Sequence, residues 1–347
     1  MERTSPPRLV RRLRHLRVQR LLSWLSLLSW LLLACPSQPG PLPPRTPRPP
    51  GTAGELAITF FDIGQGDSAL VVSPTGKRIL IDGGPPDGAN ALLSALSERG
   101  IDRIDLMLLS HPHLDHLAGL RRVAERIPIA VYMDGGFESR SPAYLGLLKV
   151  LAARAVPVKQ AKRGRTIDIG GGADLSFLGP PEPFLDHTRS DVNANSVVAR
   201  LTWRGRVVLF TGDAEPETER WLLAQPATAT AGIPALPLSA EVLKVGHHGG
   251  KYSSTAAFLA AIHPQIAVIS CAAVNDYGHP TPEALGRLER VGARVLRTDR
   301  LGHITLRSRN GAAWQVENQP TNPSLPRPGP DGPRGTSATP DPDKDVE

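Results

Sequence analysis

Read for periodicity, the chain has a long middle stretch in which short apolar runs alternate with turn residues and amphipathic segments, and two ends where that rhythm is missing. The apolar runs predict strands at 56–62, 68–73, 77–82, 104–110, 129–133, 174–178, 196–203, 206–211, 241–246, 266–271, 294–298 and 303–307. Apolar residues at three- and four-residue spacing predict helices at 88–99, 115–126, 142–154, 214–224, 254–262 and 281–291. Strands at hairpin spacing come first and strand–helix units follow, and this order occurs twice. Such an arrangement predicts an α/β chain with two sheets packed face to face, helices outside, and functional loops gathered along one edge.

The ends carry a different message. Residues 1–20 hold seven arginines against one acidic residue, and residues 21–34 (LLSWLSLLSWLLLA) are apolar apart from serines. Fourteen residues fall short of the roughly 20 that span a bilayer, so this start predicts a secretory signal rather than a spanning helix. Leu32-Leu33-Ala34-Cys35 resembles a bacterial lipobox, with Cys35 as the lipidated residue. The expectation is an exported lipoprotein held on the periplasmic or extracellular face of a membrane, with an uncleaved signal anchor as the alternative.

Residues 35–54 are dominated by proline and predict an extended tether. Residues 310–347 are polar and rich in Pro and Gly, and are expected to be disordered. The folded domain is thus placed at 55–309. Cys271 is the only other cysteine, which leaves no intramolecular disulfide for the lipidated form.

The formal charge of +7 invites a nucleic-acid reading, but nearly all of it sits in the basic first 34 residues. Segment 55–309 is close to neutral, so charge alone does not argue for DNA. Candidate chemistry comes instead from His111-Pro-His-Leu-Asp-His116, four potential ligands on one turn after an apolar run. In an extended backbone His111 and His113 point the same way, while Asp115 and His116 open a helix and are able to face a second ion. This mixture of imidazole and carboxylate suits zinc, manganese or iron.

Other strand ends add to the set. Asp82 closes LIDGG, where it is expected to orient a metal-bound histidine from behind, and Asp213 closes VVLFTGD, where it is able to bridge two metals. His247 and His248 end another strand. If that strand were regular they would face opposite ways, so one is expected in the site, His247 preferred, and the other is free to bond a leaving-group oxygen. Asp115, His247 and His248 are therefore the candidate catalytic groups. His279 is a candidate ligand of a second metal, Lys251, Ser253 and Ser254 are candidate contacts to an anionic substrate, and Asn193 and Asn195 are expected along the pocket. His187 and His303 are expected to be structural or at the surface.

HPHLDH, LIDGG and FTGDAE together resemble motifs of the metallo-β-lactamase superfamily. FFDIGQGDSALV, SHPHLDHLAGL, NANSVV, LKVGHHGGKYSS and NDYGHP are similar to the metallo-hydrolase domain of ComEC-type competence proteins, over about residues 56–308. The resemblance implies an αββα sandwich with two divalent metal ions, Zn or Mn, held at one edge by His111, His113, Asp115, His116, Asp213, His247 and His279. It also marks Asp62 and Asp67 as motif residues near the site. The implied activity is phosphodiester hydrolysis by a hydroxide bridging the metals, with DNA as a possible substrate. A non-nucleic phosphoester such as surface phosphocholine, and a non-catalytic envelope module, are the alternatives. No obligate protein partner is inferable.

The chain departs from the pattern at three points. ComEC-type chains usually carry Asp where this one has His113, which favours zinc; the third-motif histidine of many superfamily members is absent; and the domain is expected without the polytopic channel.

Overall fold

A computed structural model describes residues 54–225 and 237–320. The expected signal segment, Cys35, nearly all of the proline-rich tether and the tail after residue 320 lie outside the described residues. Among the described residues no helix is long and apolar enough to cross a membrane.

The first sheet starts with β1 (Glu55–Phe60), β2 (Ala69–Val72), β3 (Arg78–Ile81), β4 (Leu106–Leu108), β5 (Tyr132–Asp134) and β6 (Val158–Gln160). The second is formed by β7 (Thr166–Gly170), β8 (Ala173–Phe177), β9 (Ala199–Trp203), β10 (Arg206–Phe210), β11 (Val242–Lys244), β12 (Ile266–Ile269) and β13 (Arg294–Arg297). The chain then returns to the first sheet as β14 (His303–Arg309) and β15 (Gln315–Gln319). The orders are β15-β14-β1-β2-β3-β4-β5-β6 and β13-β12-β11-β10-β9-β8-β7.

Each sheet is antiparallel over one half and parallel over the other. The change falls at β3 in the first sheet and at β10 in the second. Alternation of side chains sorts the strands into layers. Leu56, Ile58 and Phe60 join Leu175, Phe177, Leu201, Trp203 and Phe210 in the core between the sheets. Ala57 and Phe61 face the other way, in the layer formed with α1 (Ala89–Glu98), α2 (Leu114–Arg126) and α3 (Pro142–Ala153). After the short α4 (Asp191–Ala194), helices α5 (Pro216–Leu223), α6 (Ala256–Ile262) and α7 (Pro282–Arg290) cover the second sheet through Leu222, Phe258, Leu259 and Leu288. The last helical turn is α8 (Thr298–Leu301). Buried Leu, Ile and Phe contribute about 1.5–3 kcal/mol each relative to exposure, so the central layer and both sheet–helix layers carry stability.

This is the expected αββα sandwich, with one correction at its border. Residues 310–319, assigned to a disordered tail from composition, fold back: β15 pairs with β14 and Trp314 packs on the core, its Nε1 donating to Glu241 Oε2 at 3.1 Å. The strand was invisible to periodicity because it is an edge strand whose residues are exposed or half-buried, with Val316 its one apolar residue. The edge strands β6, exposed or half-buried throughout, and β7, buried only at Ile169 and Gly170, also escaped notice.

Candidate metal centre

The site forms where both sheets change from antiparallel to parallel. Asp82 follows β3, His111 follows β4, Asp213 follows β10 and the His247-His248 pair follows β11, so the chain delivers each group at a strand end. The two halves touch there, with Val197 N donating to Ser110 O at 2.9 Å. Gly212, at φ +52°, lies so close to Ser110 that an added Cβ would be 2.9 Å from the Ser110 Cβ.

In HPHLDH the chain changes from strand to helix. His113 is extended (φ −81°, ψ 154°) and caps α2, which places Asp115 and His116 in the first helical turn. A carboxylate there also favours the positive end of the helix. The glycines after Asp82 serve a close approach: Gly83 N donates to His116 O at 2.6 Å, and a Cβ on Gly119 would stand 1.8 Å from Gly83 O. Asp82 itself accepts from Ser110 N and Ser110 Oγ, both at 2.7 Å, and its Oδ2 is 2.9 Å from His116 Nδ1. It holds the His116 ring from behind.

Asp213 is at the centre. Its Oδ1 is 3.3 Å from His116 Nε2, and its Oδ2 is 3.6 Å from His248 Nε2 and 3.8 Å from both His111 Nε2 and His247 Nε2. His113 Nδ1 is 3.2 Å from His111 Nε2, and Asp115 Oδ2 is 3.1 Å from His248 Nε2. Ligand atoms of Asp115, His116, Asp213 and His248 all fall within 4.8 Å of one another.

The expectation that His247 alone would enter rested on strand alternation, which does not apply. Both histidines lie past β11 in a 3-10 turn, at φ 49° and 51°, and left-handed backbone turns both rings toward Asp213. His248 joins the tight cluster; His247 faces Asp213 and leans its Nδ1 on Glu215 Oε1 at 3.0 Å. His279 lies one step out, its ring centroid 5.3 Å from His247 and 6.5 Å from His248.

Other expected contacts move. Ser253 is buried and donates to Gly246 O at 2.7 Å and Gly250 O at 3.2 Å, while buried Ser254 gives its backbone N–H to Glu219. Neither is exposed to a substrate, because the turn folds back on itself; Lys251 alone of the three stays at the surface, 3.2 Å from Glu283. Asn195 is also displaced from the pocket role, bonding the backbone of Leu185 and Asp191, while buried Asn193 lies in α4. His187 is exposed, and His303 accepts from Asp62 N, in the structural and surface roles expected.

Two groups escaped the sequence reading. Lys244 Nζ makes a buried 2.8 Å ion pair with Asp67 Oδ2, and Asp67 Oδ1 is 3.2 Å from His248 Nδ1. A lysine within an apolar strand was the available signal, since lysine is almost never buried without a partner. Glu215, next to Asp213 in sequence, gave none beyond that adjacency.

Electrostatics follow from this crowding. Burial opposes charge on His248, yet Asp213, Asp67 and Asp115 raise its pKa to about 10, and His116 is likewise held well above the ordinary imidazole value. Burial, helped by the His247 and His248 charges, lowers His279 to about 3. Burial also resists the Asp213 charge, but His116, His248 and His247 hold its carboxyl well below the usual range. Cationic imidazoles among carboxylates mark a place where positive charge is stabilised. Buried His116 Nε2 and Asp213 Oδ1 have no hydrogen-bond partner among the described residues. Free nitrogen and carboxylate donors converging in this way fit a divalent metal ion, whose binding would release the imidazole protons.

Comparison with known proteins agrees with this geometry. The chain is 31% identical over 282 residues to ComE operon protein 3 of Bacillus subtilis (strain 168), covering 75% of this chain and 34% of that protein. It is 31% identical over 251 residues to competence protein ComA of Neisseria gonorrhoeae, covering 72% and 32%. Recombination protein 2 of Haemophilus influenzae is 28% identical over 258 residues, covering 71% and 28%. The chain thus spans about a third of the length of these relatives. The family model described as Metallo-beta-lactamase superfamily matches residues 62–273, from the DIGQGD loop to just past β12. That match takes in more than half of the sequence and nearly all of the histidine–aspartate cluster, and by it the chain belongs to the metallo-β-lactamase superfamily.

Proposed function

We propose that this member of the superfamily is a metal-dependent phosphodiesterase acting on nucleic acid. The observation that carries the reading is the place of Asp213, whose Oδ1 meets His116 and whose Oδ2 meets His111, His247 and His248. Asp115, His116, Asp213 and His248 would hold one divalent ion, and His111, His113 and His247 would be available to a second. When bound, such ions supply a water-derived nucleophile near neutral pH and offset negative charge developing at phosphorus.

The remaining work belongs to side chains. Asp82 and Asp67 orient His116 and His248, and Glu215 orients His247, so that the rings keep their aim when a substrate arrives. His279, outside the tight cluster and uncharged at neutral pH, is placed to hydrogen-bond a substrate oxygen. The relatives named for competence and recombination support nucleic acid as the substrate class.

The near-neutral segment 55–309 favours a second reading, hydrolysis of a non-nucleic phosphoester. Single-stranded DNA, RNA, a phosphocholine ester and a chromogenic phosphodiester, assayed with and without Zn²⁺ or Mn²⁺, separate the two. Replacing Asp213 by alanine should abolish turnover and strip metal from the purified protein, as read by elemental analysis. Metal-dependent turnover surviving in that variant overturns the proposal.

Export and a lipid at Cys35 complete the reading. Cys35→Ala should move the protein from the membrane fraction to the soluble fraction; unchanged membrane retention argues for an uncleaved anchor.

A further inference from the structure

Two tyrosines are exposed beside the histidine cluster, each with one ring face already occupied. Tyr277, 43% exposed, stacks on His279 with ring centroids 5.8 Å apart and planes 28° from parallel. Tyr252, 47% exposed, has the Arg189 guanidinium carbon 3.9 Å from its ring centroid. Arg189 Nε is 3.8 Å from Glu215 Oε1, the same oxygen that meets His247 Nδ1. The rings of His247 and His279 are 5.3 Å apart. A continuous run of contacts, Tyr277–His279–His247–Glu215–Arg189–Tyr252, therefore borders the site and has an aromatic ring at each end.

Each ring is held from one side and leaves the other available. A ring already fixed loses little freedom when a flat group settles on it, which makes it a pre-organised stacking surface. The cations nearby do not supply a general pull on phosphates, because Arg189 faces Glu215 and Lys251 faces Glu283. Ring faces rather than net charge are what this rim offers. Unpaired bases present a π-face to such a ring; in a duplex those faces are covered by neighbouring pairs.

We infer that Tyr277 and the Arg189-backed Tyr252 are substrate-binding residues that stack bases on the two sides of the cleaved bond and select single-stranded nucleic acid. The inference rests on the phosphodiesterase reading and adds the strandedness of the substrate and the residues that read it.

The test uses the full chain and a fluorescent phosphorothioate oligothymidylate, with an abasic strand of equal length and a duplex as comparisons. The base-bearing single strand should bind best. Tyr277→Ala and Tyr252→Ala should each weaken that binding about tenfold, leave the abasic strand unaffected and keep the metal content unchanged, while Tyr277→Phe and Tyr252→Phe retain affinity. Equal affinity for base-bearing and abasic strands, or alanine variants that bind as the parent does, overturns the inference. So does displacement of the abasic and base-bearing strands alike by phosphocholine. A parallel cleavage assay on phosphodiester strands keeps the two levels apart. Equal metal-dependent cleavage of abasic and base-bearing strands overturns base stacking and supports the phosphodiesterase. Base-selective binding with no cleavage of either strand overturns the phosphodiesterase and supports base stacking.

Discussion

Asp82 and Asp213 occupy matching places in the two sheets. Asp82 directly follows β3 and Asp213 comes shortly after β10, the strands at which antiparallel pairing gives way to parallel, and each has glycine beside it. Their surroundings differ. The Asp82 carboxylate is engaged by Ser110 N, Ser110 Oγ and His116 Nδ1. Asp213 has a hydrogen bond from its backbone N–H to Ser196 Oγ, but its Oδ1 has no hydrogen-bond partner and its oxygens face imidazoles. Burial raises the pKa of Asp82, with His116 acting against it, whereas the surrounding histidines overcome burial and lower that of Asp213. Equivalent strand ends thus yield a supporting group in one half and a prospective ligand in the other. The difference lies in how many donors the neighbouring turn provides.

That contrast orders the consequences of mutation. Asp213→Ala, already the test of function, should be the most severe change, with metal affinity and turnover reduced by about a thousandfold or more, beyond the ~10–100-fold carried by residues behind a ligand. Next come the paired histidines. His248 meets Asp115, Asp67 and Asp213, so His248→Ala should cost more metal affinity than His247→Ala in a competition titration; the reverse order would return His247 to the inner position. Asp82→Asn should weaken metal binding roughly 10–100-fold with the fold intact. A loss equal to that of Asp213→Ala would erase the distinction between the two aspartates.

The smallest effect concerns how the two ligand turns are braced. HPHLDH leads directly into α2, whereas the segment after GHHGG is held by Glu219, which accepts from Ser254 N and from Thr255 N at 2.8 Å, and by Arg287, which donates to Ser253 O and Lys251 O at 2.8 Å. Burial raises the pKa of Glu219 from 4.5 to about 7. The folded chain therefore keeps this proton while the unfolded chain loses it, and the Glu219 contribution to stability falls as pH rises from about 4.5 to about 7, then levels off. The change is about 3 kcal/mol. In urea melts of metal-free protein across that interval, Glu219→Gln should flatten the pH dependence by this amount. An unchanged slope would show that the brace does not titrate there.

How much of this could be read from sequence follows the same divide. HPHLDH was legible because it joins a strand to a helix, two elements with fixed side-chain periods. The layered sandwich was legible because buried strands such as LAITF carry their pattern openly. GHHGG was not: positive φ at adjacent histidines breaks the strand alternation on which a choice between them depended. Burial of Ser253 and Ser254 depends on the Gly246 carbonyl and on Glu219, which is distant in sequence, so a composition that looks like an anion-binding turn proves to be internal scaffolding. The edge strands β6, β7 and β15 stayed hidden because partial exposure to solvent weakens the apolar pattern, whereas edge strand β13 was found.

The direction of β1 has a consequence for how the domain works when attached to something else. Glu55 pairs with Arg309 at one end of the strand, and Phe60 pairs with Ile304 at the other, immediately before the DIGQGD loop that brings Asp67 to His248. Six residues of strand span about 20 Å. The chain thus enters the domain at the far end of the sheet from its histidines. Anything that holds residue 54 therefore grips the sheet at the end away from its ligand-bearing edge.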